Sequence, residues 1–142
     1  MMKMNFLLVE DDASAAIIAT EALQEGWATH GVEASVICCA NGEEAIHYLE
    51  VVSELPDLII TDIKMPRMDG NRMIQVLKAS PLLRGIPIIV LSTSNDEDDK
   101  RRAYMGGCAG YFLKETDYEK FLAELQLISD YWSISKLPDS YF

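Results

Sequence analysis

The stretch "LIITDIKMPRMDG", residues 58–70, carries a carboxylate directly out of an apolar run. The run has the Ile-rich, near-continuous apolar composition that is typical of a parallel strand buried on both faces. Asp62 follows this strand with no residue between them. A carboxylate at the edge of a core is costly unless a cation, a metal ion or hydrogen bonds offset its charge. We therefore expect other parts of the chain to supply such a partner for Asp62.

Short apolar runs of this kind are separated by segments with helical periodicity. The predicted strands are "NFLLV" (5–9), "ASVICC" (34–39), "DLIIT" (57–61), "IPIIVL" (86–91) and "GYFL" (110–113). Strict alternation of strand and helix predicts a parallel sheet with helices on both faces. The right-handed crossover rule and the chain length favour a flavodoxin-like (βα)5 α/β fold, a doubly wound parallel sheet with strand order 2-1-3-4-5.

Helix ends are marked by capping patterns. The spacing of a capping box predicts the starts of the second, fourth and fifth helices, at Asn41 with Glu44, Ser94 with Glu97, and Thr116 with Glu119. Asp69 is expected to cap the third helix. Gly106 and Gly107 are expected to end the fourth helix.

Composition restricts the class of protein. The chain has 142 residues, 49% of them hydrophobic and 25% charged, which suits one globular domain over residues 1–142, with a core at about 4–131 and a C-terminal tail at 132–142. The net charge of −11 argues against binding to nucleic acid or to anionic membranes. An odd cysteine count, with no signal peptide and no membrane-spanning stretch in the sequence, predicts a cytoplasmic protein.

Acidic residues follow two strands that the predicted order makes neighbours. The first strand leads into Glu10, Asp11 and Asp12, and the third leads into Asp62. The carboxyl ends of these strands meet at the switch point of the sheet, where ligands bind. Packed carboxylates repel one another, and Mg²⁺ prefers such oxygen ligands. We therefore predict a Mg²⁺ site for phosphoryl chemistry, while Asp12 is expected to be a solvated acid at a helix start.

The two remaining strand ends carry complementary groups. The fourth strand leads into Ser92, whose hydroxyl suits an anionic oxygen, and the fifth leads into Lys114, a positive charge at the same rim. Each residue alone would be an ordinary loop serine or surface lysine. Together with Asp11 and Asp62 they indicate one crevice that binds both a cation and an anion.

The motifs "LLVEDD", "LIITDIKMPRMDG", "IIVLSTS" and "GYFLK", each at the end of a strand, resemble the receiver domain of two-component response regulators over essentially the whole chain. The resemblance implies that Asp62 is the phosphoacceptor and takes a phosphoryl group from a phosphohistidine of a partner histidine kinase. It also implies that Glu10, Asp11 and the backbone carbonyl of Lys64 complete the Mg²⁺ site. Ser92 would then bind a phosphoryl oxygen, and Lys114 would pair with the phosphoryl group.

The resemblance also implies a conformational switch. In the family, an aromatic residue three positions before the lysine turns inward when the hydroxyl residue moves towards the phosphoryl group, and here those residues are Tyr111 and Ser92. The switch would alter the surface of the fourth helix, fifth strand and fifth helix. A strand aromatic packed for stability is the alternative for Tyr111. We expect a signalling protein that catalyses only its own phosphorylation and dephosphorylation, with Lys64 influencing the lifetime of the phosphoryl group in a direction that the sequence leaves open.

The segment "DYWSISKLP" and the run "VLSTS" resemble single-domain response regulators of the type paired with phytochrome-like kinases. This resemblance implies that no output domain follows and that output goes through an effector protein or a phosphorelay. It also implies a homodimer through the surface of the fourth helix, fifth strand and fifth helix together with the C-terminal tail. The aromatic residues expected at that contact are Tyr131, Trp132, Tyr141 and Phe142.

Departures from the family pattern keep alternatives open. Glu115 stands where the family usually has a proline, often with a cis peptide, which leaves the geometry of Lys114 undecided, and Thr93 is bulkier than the usual residue. A degenerate receiver that acts as a phosphorylation-independent adaptor is therefore one alternative. A Mg²⁺-dependent phosphotransferase with an aspartyl-phosphate intermediate is another, although its haloacid-dehalogenase type needs an acid where Lys64 stands. A flavin binder is disfavoured because "EDDAS" after the first strand would repel phosphate.

Overall fold

The computed structural model describes residues 2–139, in which strands and helices alternate along the chain. The strands are β1 (Met2–Val9), β2 (Val32–Cys39), β3 (Leu58–Thr61), β4 (Ile88–Ser92) and β5 (Gly110–Leu113). The helices are α1 (Ala13–Ala28), α2 (Gly42–Val51), α3 (Gly70–Ala79), α4 (Glu97–Gly106) and α5 (Tyr118–Ile134). Of the aromatic residues predicted at a dimer contact, Tyr141 and Phe142 lie outside the described residues.

The strands form one parallel sheet in the order β2-β1-β3-β4-β5. The predicted flavodoxin-like fold and strand order are therefore confirmed. In the register, Val9 lies beside Cys39 on one side and beside Thr61 on the other. Because these residues end their strands at the same level, the segments that follow β1 and β3 emerge together at one edge of the sheet.

Strand boundaries differ from the prediction at the amino ends. β1 begins at Met2 rather than at Asn5, because its pairing with β2 continues to Val32. β4 begins at Ile88 rather than at Ile86, since Pro87 has no N–H group to donate to a neighbouring strand. The carboxyl ends agree with the prediction to within one residue, so these differences do not move the candidate site.

Two hydrophobic cores cover the two faces of the sheet. Successive strand residues point to opposite faces, so Leu7 and Val9 contribute to the core under α2, α3 and α4, while Phe6 and Leu8 contribute to the core under α1 and α5. The strands are apolar on both faces for this reason, as the near-continuous runs of the sequence predicted. Among the described residues, no helix has the length and apolar character to cross a membrane.

Two predicted N-terminal caps are confirmed. The Asn41 side chain accepts a hydrogen bond from the backbone N–H of Glu44 at the start of α2. The Asp69 side chain does the same for Arg72 at the start of α3. Each cap satisfies one of the backbone donors that a helix leaves unpaired at its first turn.

The predicted caps of the last two helices are wrong. Asp96 caps α4 in place of Ser94, and Asp117 caps α5 in place of Thr116. A carboxylate accepts these N–H groups well and also interacts favourably with the helix dipole. At the other end of α4, Gly107 adopts a left-handed conformation with φ of 108°, so the predicted glycine stop is confirmed.

The loop between β3 and α3 is closed by a glycine. The backbone N–H of Gly70 donates to the carbonyl oxygen of Ile63 at 2.9 Å. A Cβ atom on residue 70 would overlap the backbone oxygen of Asp62. Gly70 therefore allows α3 to start against the backbone of the residue that leaves β3, which holds Asp62 in place.

We predict that Gly70→Ala lowers the free energy of unfolding by about 2–3 kcal/mol, because the new methyl group must push the Asp62 backbone aside. Urea unfolding measures this change. Gly106→Ala is the matched control, since its Cβ would meet only a side-chain methyl group of Ile74 at 3.1 Å. Equal stability losses in the two variants would contradict the assigned role of Gly70.

Candidate functional site

Three carboxylates meet where β1 and β3 end. Glu10, Asp11 and Asp62 each place a carboxylate oxygen within 4.8 Å of the other two. Hydrogen bonds of the sheet fix two of them, since the N–H of Glu10 donates to the carbonyl of Cys39 at 2.9 Å and that of Asp62 to the carbonyl of Val9 at 3.0 Å. The structure therefore brings together the acids that the strand order predicted.

Lys114 reaches this cluster from the end of β5. Its backbone N–H donates to the carbonyl of Ser92 at 2.8 Å, which anchors it beside β4. Its Nζ atom lies 2.6 Å from Oε1 of Glu10 and 3.6 Å from Oδ2 of Asp62. The peptide bond between Lys114 and Glu115 is trans, and the lysine contacts both acids in this geometry.

Burial and pairing shift the pKa values of these groups. Burial raises the pKa of Glu10 above its usual value, and the hydrogen bond from Lys114 opposes this rise. Burial acts to lower the pKa of Lys114, but its hydrogen bond to Glu10 and the charge of Asp62 outweigh that effect, so the pKa is raised. Lys114 therefore carries a positive charge at neutral pH and supplies the partner that Asp62 was expected to need.

The carboxylate oxygens of Glu10 and Asp62 differ in their hydrogen-bond partners. Glu10 uses Oε1 for Lys114, and its Oε2 accepts the backbone N–H of Asp12 at 3.1 Å. Asp62 uses Oδ1 to accept the N–H of Ile63 at 2.6 Å. Asp12 itself caps α1 by accepting the N–H of Ala15, in agreement with its predicted place at a helix start. The donor set consists of oxygens, which fits a hard divalent cation, and Asp11 is its most exposed member.

Ser92 and Tyr111 meet at the loop between β4 and α4. The buried Ser92 hydroxyl oxygen accepts the backbone N–H of Ser94 at 3.2 Å. The Tyr111 hydroxyl donates to the carbonyl oxygen of Ser94 at 2.8 Å, and the half-buried ring packs against the core under α2, α3 and α4. Burial raises the pKa of Tyr111. The predicted switch residues therefore contact the same short loop from two sides, while Thr93 is exposed.

One carboxylate that lies near the site, that of Asp99, was not singled out from the sequence. Asp99 on α4 is only 3% exposed. Its Oδ2 accepts the hydroxyl of Ser94 at 2.6 Å and lies 3.2 Å from Nζ of Lys64. The hydrogen bond from Ser94, followed by that from Lys64, holds the pKa of Asp99 below its usual value although burial opposes this.

The sequence did carry a signal for Asp99. The run "NDEDDK" is strongly acidic and suggests a solvated helix start. On a helix, however, Asp99 shares one face with Ala103 and Gly106, and Ala103 is fully buried. The helical period therefore distinguishes the fourth acid of the run, Asp99, from the three exposed acids before it.

Comparison with known proteins identifies the class. Residues 6–126 match the family model of the response regulator receiver domain, so the chain belongs to this family. The sequence is 32% identical over 130 residues to the probable methanogenesis regulatory protein FilR2 of Methanothrix harundinacea (strain 6Ac), an overlap of 89% of this chain and 81% of that protein.

Solved structures agree with this assignment. The fold is similar to that of the phosphorylated cyanobacterial phytochrome response regulator RcpA, with a TM-score of 0.88 and 30% identity over 96% of this chain and 99% of that one. It is also similar to the Mn²⁺-bound form of response regulator Rcp1, with a TM-score of 0.83 and 28% identity over 95% of this chain and 99% of that one. The predicted family is confirmed, and phytochrome-associated regulators are among its structural neighbours.

We predict that Lys114→Met lowers the free energy of unfolding by about 3 kcal/mol without divalent cations, because it leaves Glu10 buried without its cation. Adding Glu10→Gln to this variant removes the unpaired charge and is expected to restore more than half of the loss. Thermal and urea unfolding in a chelating buffer measure both changes. Lys136→Met, at an exposed lysine, is the control, and a double variant less stable than Lys114→Met would contradict the pairing.

Proposed function

We propose that this chain is a phosphoacceptor receiver in a two-component system and takes a phosphoryl group from a histidine kinase onto Asp62. The observation that carries the proposal is the position of Asp62. It lies half-buried beside Glu10 and Asp11, with the Lys114 ammonium 3.6 Å from its Oδ2. A nucleophilic carboxylate, a cation and further oxygen ligands are what phosphoryl transfer needs in one place.

The arrangement supports a defined transfer step. The N–H of Ile63 holds Oδ1 of Asp62 and orients the carboxylate, so that Oδ2 can attack the phosphorus atom. A new P–O bond forms as the P–N bond of the phosphohistidine breaks, and the electron pair stays on the imidazole nitrogen. Lys114 then neutralises charge on the phosphoryl oxygens. Ser92 accepts a hydrogen bond in the structure, which leaves its O–H available to donate to one of these oxygens.

Mg²⁺ is the proposed cofactor. Asp11, Asp62 and the backbone carbonyl of Lys64 would hold it. Both oxygens of Glu10 are engaged by protein groups, so Glu10 would act by holding Lys114 and through water. A bound divalent ion neutralises negative charge on the phosphoryl group during transfer. The Mn²⁺-bound form of the related regulator Rcp1 supports a divalent cation in this family.

The proposed signal starts at Ser92. When the Ser92 side chain moves towards the phosphoryl group, its Oγ atom leaves the Ser94 N–H and the hydrogen bond between them lengthens or breaks. Ser94 also holds the Tyr111 hydroxyl, so the loop and the ring of Tyr111 respond together. The equilibrium between two arrangements of α4, β5 and α5 shifts as a result. Tyr111 also stabilises the core by its packing, and the two roles are compatible.

Partners follow from the same surface. We propose a homodimer in which α4, β5 and α5 of two copies meet, since this face exposes Tyr104, Leu127 and Tyr131 and contains a groove of about 740 Å³ that Trp132 lines. As for the single-domain regulators that the sequence resembles, the proposed output goes through an effector protein or a phosphorelay in the cytoplasm. A phytochrome-like kinase is the proposed phosphoryl donor.

We predict that the protein gains one phosphoryl group when incubated with Mg²⁺ and a small acyl-phosphate donor, because Lys114 lies beside Asp62 and the added Mg²⁺ supplies the second cation. Intact mass follows the reaction, and Trp fluorescence with beryllofluoride follows the switch. Asp62→Asn and omission of Mg²⁺ are expected to abolish the gain. A protein that neither gains mass nor responds to beryllofluoride would contradict the proposal and favour the adaptor.

We predict that Leu127→Glu converts the dimer to a monomer, because it places a charge in the centre of the exposed apolar face of α5. Size-exclusion chromatography with light scattering measures the mass, with and without beryllofluoride. Leu82→Glu is the matched control at a leucine of similar exposure outside the proposed interface, 60% against 69% for Leu127. A monomeric unaltered protein under both conditions would overturn the dimer.

A further inference from the structure

The side chain of Lys64 is held by α4. Lys64 lies two residues after Asp62, on the loop beside the proposed phosphoryl site. Its Nζ atom is 3.2 Å from Oδ2 and 3.4 Å from Oδ1 of Asp99. The ion pair is asymmetric, because the Lys64 side chain is 70% exposed and the Asp99 side chain is 5% exposed. An exposed cation is thus paired with a carboxylate that the fold buries.

The position of Asp99 is set by contacts on three sides. Its carboxylate accepts the Ser94 hydroxyl at 2.6 Å. Its backbone N–H donates to the side chain of Asp96 at 3.0 Å, and its carbonyl oxygen accepts Nδ2 of Asn71 at 3.3 Å. A buried carboxylate that lost its cation would be strongly destabilised, so Asp99 retains the ammonium of Lys64 in preference to solvent.

We propose that Asp99 is a positioning residue that draws the Lys64 ammonium away from the phosphoryl group on Asp62 and thereby sets the lifetime of that group. The inference rests on the proposed function. In the described structure the ion pair of Asp62 is with Lys114, while that of Lys64 is with Asp99. The two lysines beside the site are therefore assigned to different carboxylates.

The reaction affected is hydrolysis of the aspartyl phosphate. A water oxygen attacks phosphorus, the bond from phosphorus to the Asp62 oxygen breaks, and the electron pair returns to the carboxylate while a proton leaves to solvent. A phosphoryl group with a charge near −2 attracts a nearby ammonium. When the Lys64 ammonium contacts the phosphoryl group, the Lys64 side chain covers the face of phosphorus that the attacking water must approach. Pairing with Asp99 shortens the time that the ammonium spends at the phosphoryl group.

A double-mutant cycle tests this coupling. The unaltered protein, Asp99→Asn, Lys64→Ala and the double variant are loaded with a small acyl phosphate and Mg²⁺, the donor is removed, and intact mass follows the loss of the phosphoryl group. Asp99→Asn is expected to lose it about threefold more slowly, because a released Lys64 covers the site. Lys64→Ala is expected to lose it faster than the unaltered protein. The double variant is expected to match Lys64→Ala, since no ammonium is left to release.

Control variants separate positioning from folding. Asp98→Asn removes a carboxylate on the exposed side of α4, 3.6 Å from Arg101, and is expected to leave the lifetime unchanged. Asp99→Glu keeps the charge and is expected to restore a lifetime close to that of the unaltered protein. If circular dichroism shows that Asp99→Asn does not fold, Lys64→Arg provides the test instead, because it changes an exposed side chain. Its guanidinium pairs with Asp99 through two hydrogen bonds, so faster loss than in the unaltered protein is expected.

The outcomes separate failure of the proposed function from failure of the positioning role of Asp99. If the unaltered protein takes up no phosphoryl group, the proposed function fails and this inference fails with it. If uptake is normal but Asp99→Asn has the same effect with and without Lys64, Asp99 acts by anchoring α4, and only the positioning role is overturned. Equal lifetimes in Asp99→Asn and the unaltered protein, or slower loss in Lys64→Arg, would also overturn it.

Discussion

The ion pair between Lys114 and Glu10 is the interaction on which the candidate site depends. It joins the end of β5 to the end of β1 across two intervening strands, at a distance of 2.6 Å. Three carboxylates that meet within 4.8 Å would repel one another without this cation. The parallel register brings the acids to one edge of the sheet, and the positive charge of Lys114 offsets their repulsion there.

The fold and the centre of the site could be predicted because both follow from short-range patterns. Alternating apolar strands and helices define the sheet order, and the order brings the residues after β1, β3, β4 and β5 to one edge. Asp62 and Lys114 were found in this way. The caps of α4 and α5 were not, because several polar residues precede each helix and the sequence pattern does not distinguish between them. Before α4, the Ser94 hydroxyl donates to Asp99, and Asp96 takes the cap. Asp99 was missed because its burial depends on packing that an acidic run does not reveal.

α4 differs from the other helices in what holds it. Among the described residues, its buried positions are Asp99 and Ala103, whereas α5 buries Phe121, Leu125 and Ile128. One polar contact near α4 is also incomplete, since Oδ1 of Asn71 is buried without a hydrogen-bond partner among the described residues. A helix with little apolar burial and an unsatisfied neighbour belongs to the less stable part of a fold, from which moving elements are drawn.

The polar contacts of α4 lead back to the site. Asp99 connects to Lys64 on one side and through Ser94 to Ser92 and Tyr111 on the other. Hydrogen bonds and ion pairs of this kind exchange partners at a smaller cost than the repacking of a core would require. Coupling between sites typically amounts to about 1–3 kcal/mol, which is within the range that a few such exchanges supply. New charge on Asp62 would compete for groups that fix α4, so the chemistry of the site and the position of the helix share one set of contacts.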